Sequence, residues 1–468
     1  MTAPPLLRSP PFPWVTEAVA AVSRPGRSRL TDPDRLFAVM RDERVGGDFW
    51  CDPNPAKADA REAAIMGWIA GGALTVERRD EAVAAIEAAE YRDPFSGEAI
   101  DAHEAVRILA DWRAAFDRNR QIGVAVGMSR WKQEAIARFL WDGRRSPPFV
   151  TADRAIAVEA AGAAIAYWPS RSPEDFAARA TGKGVAAWPV EDGFIRSAGL
   201  GAECRPPLSI IVDPTGGIHF DPDAPSEIER LLASHPFDDA LLRRAKRLRE
   251  LIVSARLGKY GVDRGVVPNG LPADRRIVLA IGQVADDLSV IRGGGPGVAG
   301  FVSRVRAQEP DAFIVYRPHP DVVAGLRDGD LDGERAADLV LRNGSLLRLI
   351  ERADSVHVVS SLTGFEALLR GVPVAVHGMP FYAGWGLTRD LADVPARRGR
   401  QLSIDALVAA ALILAPRYLD PVTNLPCPPE VLVNRLARVH QPDETLLTGF
   451  RRAWGMARRS LRRAGQRP

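Results

Sequence analysis

The sequence predicts an α/β protein of two Rossmann-like lobes with a cleft between them. Three observations predict it. Short apolar runs alternate with helical patterns from about residue 118 to 190, and again from 276 to 377. Strands separated by helices make parallel sheets covered on both faces. A long, strongly charged helical stretch, Phe237–Leu257, stands between the two alternations. The chain has 468 residues, 46% apolar and 26% charged, which exceeds one ordinary domain and suffices to bury sizeable cores.

The expected elements follow in order. Residues 1–117 form a mostly helical region, with helical spacing at Glu81–Ala89 and Ala102–Arg118. Between these, Asp93-Pro94-Phe95-Ser96-Gly97 is a turn. The first lobe, 118–270, runs strand Gly123–Met128, helix Arg130–Leu140, strand Ala163–Trp168, helix Pro173–Ala180 and strand Gly184–Val190. Its alternation stops near Leu208–Asp213 and Gly217–Phe220. The second lobe, 271–400, begins after the polar stretch Asn269–Asp274. It runs strand Arg276–Val284, helix Gly297–Gln308, strand Ala312–Arg317, helix Ser345–Ala353, strand Ser355–Ser360, helix Leu362–Arg370 and strand Val372–His377. Residues 401–468 close the chain as helices.

Composition narrows the function. A net charge of +3 leaves no whole-protein nucleic-acid footprint. Cys51, Cys204 and Cys427 lie far apart with no CxxC, so free thiols in a reducing compartment are expected. The longest apolar stretches, Ala63–Val76 and Ala406–Ala415, fall short of the ~20 residues that span a bilayer. The proline-rich N-terminus lacks a cationic segment before an apolar core, so no secretory signal is read and a cytoplasmic location is expected. Charge is uneven, however. Residues 451–468 hold seven arginines and no acid, and Phe450, Trp454, Ala457 and Leu461 share one helix face. Such a segment, Phe450–Pro468, suits the inner face of an anionic membrane. It equally suits a solvated terminal helix that packs Trp454 on its own domain.

Ligands of open α/β sheets gather beyond the carboxyl ends of strands. Four strand ends carry chemistry. Glu191-Asp192-Gly193 follows the Gly184–Val190 strand, with Gly193 for a sharp backbone turn and Arg196 three residues on. A carboxylate here can act as base, nucleophile or hydroxyl acceptor, and the same residues also make an ordinary Asx turn. Gln283-Val284-Ala285-Asp286-Asp287-Leu288-Ser289 ends the next strand, followed by Arg292 and the run Gly293-Gly294-Gly295-Pro296-Gly297. That run exposes backbone N–H groups before a helix but lacks P-loop or dinucleotide spacing. Arg317-Pro318-His319-Pro320 places a histidine on a stiff backbone, able to donate to a phosphate or protonate a leaving one. Ser360-Ser361-Leu362-Thr363 opens a helix with three hydroxyls where a cap needs one, and Glu366 follows one turn later. The order acidic, acidic, histidine, hydroxyl favours sugar transfer from an anionic nucleotide donor. No metal set is expected: the seven histidines are scattered, and Asp221-Pro222-Asp223 sits in a turn before a helix.

These strings resemble the capsule polysaccharide biosynthesis family, best known for bacterial β-Kdo transferases. The resemblance runs through Val190–Gly201, Gln283–Ser289, Arg317–Pro320, Ser361–Leu369 and Pro380–Thr388, in family order, across about residues 92–420. It implies a GT-B-like fold, a CMP-β-Kdo donor, a retaining outcome, and a glycolipid or oligo-Kdo acceptor alongside capsule assembly and export proteins. It extends to bacterial sialyltransferases, which share an acidic-acidic-Gly motif, a His-Pro motif and CMP-activated donors. By that resemblance His319, with Arg317, meets the CMP phosphate, and Ser360, Ser361 and Thr363 line the phosphate site. Gln283, Ser289 and Glu366 join the donor side. Glu191 and Asp192 handle the acceptor or the sugar. For the nucleophilic carboxylate, Asp286-Asp287 ranks first and Asp192 second. Arg196 or Arg292 would meet the sugar's carboxylate, and Lys132, in Gly127-Met128-Ser129-Arg130-Trp131-Lys132, matches a further string. The chain departs from the best-known members by having room for one transferase module, not two. Two other readings stand beside this one: a transferase for another CMP-nonulosonate, and a non-catalytic CMP- or glycan-binding scaffold of the export machinery.

Overall fold

The structure is a computed structural model and describes residues 4–51, 60–71, 76–158, 163–197, 205–259, 261–266, 269–324, 327–330 and 332–438. The basic Phe450–Pro468 segment, Cys204 and the Ala198–Gly201 part of the first motif lie outside the described residues. Chain contacts divide it into two compact units. One comprises Met1–Tyr167, Arg171–Ala186 and Arg417–Leu432; the other comprises Trp168–Ser170, Ala187–Pro416 and Val433–Pro468.

In the first unit a helical turn at Glu17–Ala20 leads to strand β1 (Ser23–Pro25), followed by helices α1 (Pro33–Glu43), α2 (Ala60–Gly71) and α3 (Val76–Glu87). Strands β2 (Ala89–Arg92) and β3 (Ala99–Ile100) then complete an antiparallel ribbon with β1. The helix expected over Glu81–Ala89 therefore stops at Glu87, and its last residue belongs to β2. The Asp93–Gly97 turn forms as expected. The N–H groups of Phe95 and Ser96 donate to Asp93 Oδ1 at 2.7 and 3.3 Å. Helix α4 (Ala102–Asn119) is capped by Asp101, whose Oδ1 accepts from Glu104 N at 2.8 Å. It buries Ala105, Val106, Leu109, Trp112 and Phe116, one helical stripe. Beyond it, strands β4 (Ile122–Val126), β5 (Phe149–Val150) and β6 (Ala164–Tyr167) run parallel, with helix α5 (Arg130–Phe139) following β4.

The core of this unit is aromatic. Phe12 meets Trp112 edge-on at 5.0 Å, and Phe116 meets Trp141 likewise at 5.0 Å. The indole N–H groups of Trp14 and Trp112 donate to the carbonyls of Asn424 and Pro426 at 2.9 and 2.8 Å. A segment from the far end of the sequence thus supplies acceptors that these indoles would otherwise lack.

The second unit contributes strand β7 (Ala187–Asp192) and strand β8 (Ser209–Val212), paired antiparallel with Asp192 opposite Ile210 and Glu191 opposite Ile211. The alternation ends at β8 near where the sequence breaks off: the linking sequence carries Gly193, Gly199, Gly201, Pro206 and Pro207 and no helical pattern. Parallel return needs a crossover, usually helical, so β8 returns antiparallel. One expectation changes: Glu191 and Asp192 lie inside the ladder, not beyond the strand. Gly193 has no positive φ among the glycines that do. Its role is close approach, because a Cβ there would fall on the Ser209 side chain.

Helix α6 (Asp239–Ser254) follows, then the small hairpin β9 (Leu257–Gly258) and β10 (Gly261–Val262). The main sheet is next. Strands β11 (Ile277–Ile281), β12 (Phe313–Arg317), β13 (Leu339–Val340), β14 (Ser355–Val358), β15 (Val374–Val376) and β16 (Arg389–Asp390) are ordered β13-β12-β11-β14-β15-β16, all parallel. Helices α7 (Phe301–Gln308), α8 (Leu346–Arg352) and α9 (Leu362–Leu369) connect them. All five residues of β11 are buried, as its unbroken apolar run requires. Strand order reverses between β11 and β14, and the crevice at such a reversal is where doubly wound sheets bind ligands. Among the described residues no helix is long and apolar enough to cross a membrane.

Candidate active site

A cavity of about 830 Å³ opens in the second unit, lined from the ends of β7, β11, β12 and β14. Its floor is fixed at the strand-order reversal. Gln283, two residues past β11, accepts from Ser360 N at 2.8 Å and donates through Nε2 to Ser360 Oγ at 3.1 Å. Ser360 Oγ then donates to Ser289 O at 2.7 Å. Gln283, Ser289 and Ser360 are thus one clasp that locks the β11 and β14 loops together. Ser361 caps α9, its Oγ accepting from Thr363 N at 3.2 Å, and Thr363 beside it is buried. Tyr382 donates its hydroxyl proton to Ser361 O, and only glycine fits at 364 beneath that hydroxyl.

The two acidic pairs differ in setting. Asp192 is 20% exposed and is gripped by Arg196, whose Nε donates to Asp192 Oδ2 at 2.6 Å. Arg196 is itself buried, with its other nitrogens on Ser197 Oγ at 2.9 Å and Arg205 O at 3.2 Å. Glu191 lines the cavity beside it. Asp287 is 46% exposed, and its Oδ1 accepts from Ser289 N at 2.9 Å and Ser289 Oγ at 2.8 Å. It is the cap of the turn Leu288–Ile291. Asp286 is 69% exposed and pairs with Arg327 at 2.8 Å.

His319 caps the turn Pro320–Val323 through its ring: Nδ1 accepts from Asp321 N at 3.1 Å. In the neutral ring this places the remaining proton on Nε2. Burial pushes the imidazole's pKa below its usual range, against the opposing pull of Asp321 and Asp287. Arg317 lines the cavity with a half-buried guanidinium that donates to Leu341 O and Gly344 O at 3.1 and 3.2 Å. Glu366 Oε1 accepts from Lys259 N at 3.0 Å, and burial pushes its carboxyl up.

Thirteen of the fifteen residues expected at the site therefore line this cavity or its floor, and two do not. Arg292 lies outside the lining, 3.7 Å from Asp221. Lys132 belongs to the first unit, where it is buried with its ammonium 5.3 Å from the Trp131 ring. The glycine-rich run is absent from the lining as well. Its glycines serve packing: a Cβ on Gly293 or Gly295 would strike the carbonyls of Ser289 or His377. Among the described residues no group of three His, Cys, Asp or Glu side chains is placed to hold a metal ion.

Sequence reasoning missed several lining residues. Phe194 stacks on Phe381 at 4.4 Å, and His219 meets Phe194 edge-on at 5.1 Å. Burial, with a smaller push from Lys259, takes His219 down to about 3, so it is neutral. Both phenylalanines stand in quoted motif strings, where their apolar character signalled only core. Lys259 and Asp263 come from the β9–β10 hairpin, whose two-residue strands carry no periodic signal.

Comparison with known proteins follows the same residues. A family model described as "Capsule polysaccharide biosynthesis protein" matches residues 163–418. The capsule polysaccharide modification protein LipA of Neisseria meningitidis serogroup A is 36% identical over 353 residues, covering 73% of this chain and 49% of that protein. The chain therefore spans about half the length of that relative. The lipopolysaccharide-processing protein LpsZ of Rhizobium meliloti is 37% identical over 322 residues, covering 66% of this chain and 72% of that protein. Two solved structures from Thermosulfurimonas dismutans KpsC are similar. Its β-Kdo 2,4 transferase has 32% identity and a TM-score of 0.59, covering 67% of this chain and 98% of that one. Its β-Kdo 2,7 transferase has 30% identity and a TM-score of 0.54, covering 67% and 97%. With a family model matched over more than half its residues, and with the strand-end motifs gathered at one cavity, the chain belongs to the capsule polysaccharide biosynthesis protein family.

Proposed function

We propose that this chain is a glycosyltransferase that moves Kdo from CMP-β-Kdo to a glycolipid or oligo-Kdo acceptor, with retention, in capsule polysaccharide assembly. The observation that carries the reading is the convergence of all four strand-end motifs on one cavity, in a chain 32% and 30% identical to two solved β-Kdo transferases.

In the first step a carboxylate oxygen of Asp192 attacks the anomeric carbon. The bond to the phosphate oxygen breaks and CMP leaves with the electron pair. His319 donates from Nε2 to that oxygen. In the second step an acceptor hydroxyl displaces Asp192 and its proton passes to Glu191, so two inversions give retention. Asp192 moves ahead of Asp286-Asp287 because its carboxylate is the more enclosed, and because the buried Arg196 guanidinium orients it. The phosphate's charge is met by His319, Arg317 and the Ser361–Thr363 helix start, without a metal. The basic Phe450–Pro468 segment brings the enzyme to a lipid-borne acceptor on the inner face of the membrane, among capsule assembly and export proteins.

The test is mass spectrometry of a synthetic β-Kdo-terminated acceptor incubated with the protein and CMP-β-Kdo generated in situ. Wild type is compared with Asp192→Asn, Asp287→Asn, Asp286→Asn and His319→Ala. The expected result is one Kdo added by wild type and none by Asp192→Asn. CMP binding with neither product nor CMP release would overturn the reading, first toward another CMP-nonulosonate and then toward a non-catalytic scaffold.

A further inference from the structure

We propose that Lys259 is a donor-binding residue, its ammonium holding an anionic oxygen of the CMP-sugar: the nucleotide's phosphate or the sugar's carboxylate. This rests on the transferase reading above. The argument begins with the main chain. Lys259 N donates to Glu366 Oε1 at 3.0 Å, and Lys259 O accepts from Arg196 N at 3.0 Å. One residue therefore bridges the β7 motif and the α9 motif, which are far apart in sequence.

The hairpin around it is fastened on both sides. Asp263 Oδ2 accepts from Leu347 N at 3.0 Å, and Arg370 Nη2 donates to Leu257 O at 3.4 Å. A Cβ on Gly258 would come within 2.8 Å of Glu366 Oε1, so the hairpin lies hard against α9. These bonds hold Lys259 at the cavity wall with Arg196, His219, His319 and Glu366. Its charge is felt by His319, His219 and Glu366, which arise from three different segments. Lys259 thus shares the cavity wall with His319, the proposed proton donor to the leaving phosphate, and its charge reaches that ring. A charge-assisted hydrogen bond there serves a dianionic donor.

The side chain is separable from the tether, because a main-chain N–H and C=O survive substitution. The experiment measures steady-state kinetics with CMP-β-Kdo, and CMP affinity by titration calorimetry, for wild type, Lys259→Gln and Lys259→Arg. Thermal midpoints are recorded alongside. Lys259→Gln is expected to raise KM for CMP-β-Kdo about tenfold or more, the loss of one hydrogen bond to a charged group. Its midpoint should stay near wild type, and Lys259→Arg should recover most of the loss. A matching loss of CMP affinity identifies the phosphate as the anion. Unchanged CMP affinity with raised KM identifies the carboxylate. KM and CMP affinity within twofold of wild type in Lys259→Gln would overturn the proposal alone. Wild type that releases no CMP from CMP-β-Kdo would overturn the transferase reading and this proposal with it.

Discussion

Two acidic pairs, Glu191-Asp192 and Asp286-Asp287, look interchangeable in the sequence and are not interchangeable in the fold. The first sits in a β-ladder, with Asp192 20% exposed and braced by a buried guanidinium. The second sits five residues past β11 in a loop, where Asp287 caps a turn and Asp286 is 69% exposed on Arg327. A strand-end carboxylate acquires chemistry from the partner that orients it and the water it is denied. The letters D-D or E-D carry neither.

Substitutions can break or sharpen that contrast. The largest effect is expected at Asp192→Asn, a loss of roughly 10³-fold or more in kcat, read from CMP release. A residual rate above a tenth of wild type would move the nucleophile elsewhere. Next comes Arg196→Met, which strands a mostly enclosed carboxylate and should cost about 3 kcal/mol in urea unfolding. Little change there would mean that the pair is solvated in solution. Asp287→Ala removes a cap and should cost about 1 kcal/mol, with kcat within tenfold of wild type. A collapse of activity instead would restore Asp287 as a reacting group.

A charge test separates the pairs further. Asp287 raises the proton affinity of His319. Asp287→Asn should therefore lower the His319 pKa, already depressed by burial, and extend the neutral ring to lower pH. Asp192→Asn should leave it in place. Titration of the His319 ring protons by NMR reads both, and equal shifts would contradict the assignment. Smallest is Asp286→Asn, below about 1 kcal/mol and weakened further by salt, as for any exposed pair.

Much of the second sheet was legible. The runs Arg276–Val284, Ala312–Arg317 and Ser355–Ser360 contain β11, β12 and β14, because buried parallel strands are written as unbroken apolar runs between polar breaks. Residues that line the cavity were legible where they follow such strands, as with His319 and Ser360. What tertiary pairing decides was not legible. The antiparallel return of β8 depends on a neighbour, and the hairpin holding Lys259 is too short to show a period. Nor do the letters show that Ser360, one of three adjacent hydroxyl candidates, is already bonded to Gln283 and Ser289. Arg292 was chosen for its charge and Lys132 for a matching string, and neither signal fixes where a residue lies in the fold.

The strand of sequence that supplies acceptors to Trp14 and Trp112 has a consequence for biosynthesis. Trp14 waits on a carbonyl 410 residues downstream, and Trp112 on one 314 downstream. At a translation rate of about 5–20 residues per second, the first partner emerges roughly 20–80 s after the indole that needs it. The first unit therefore cannot complete these two indole hydrogen bonds until residues 424–426 have been made. Until then its aromatic core is a natural client for chaperones.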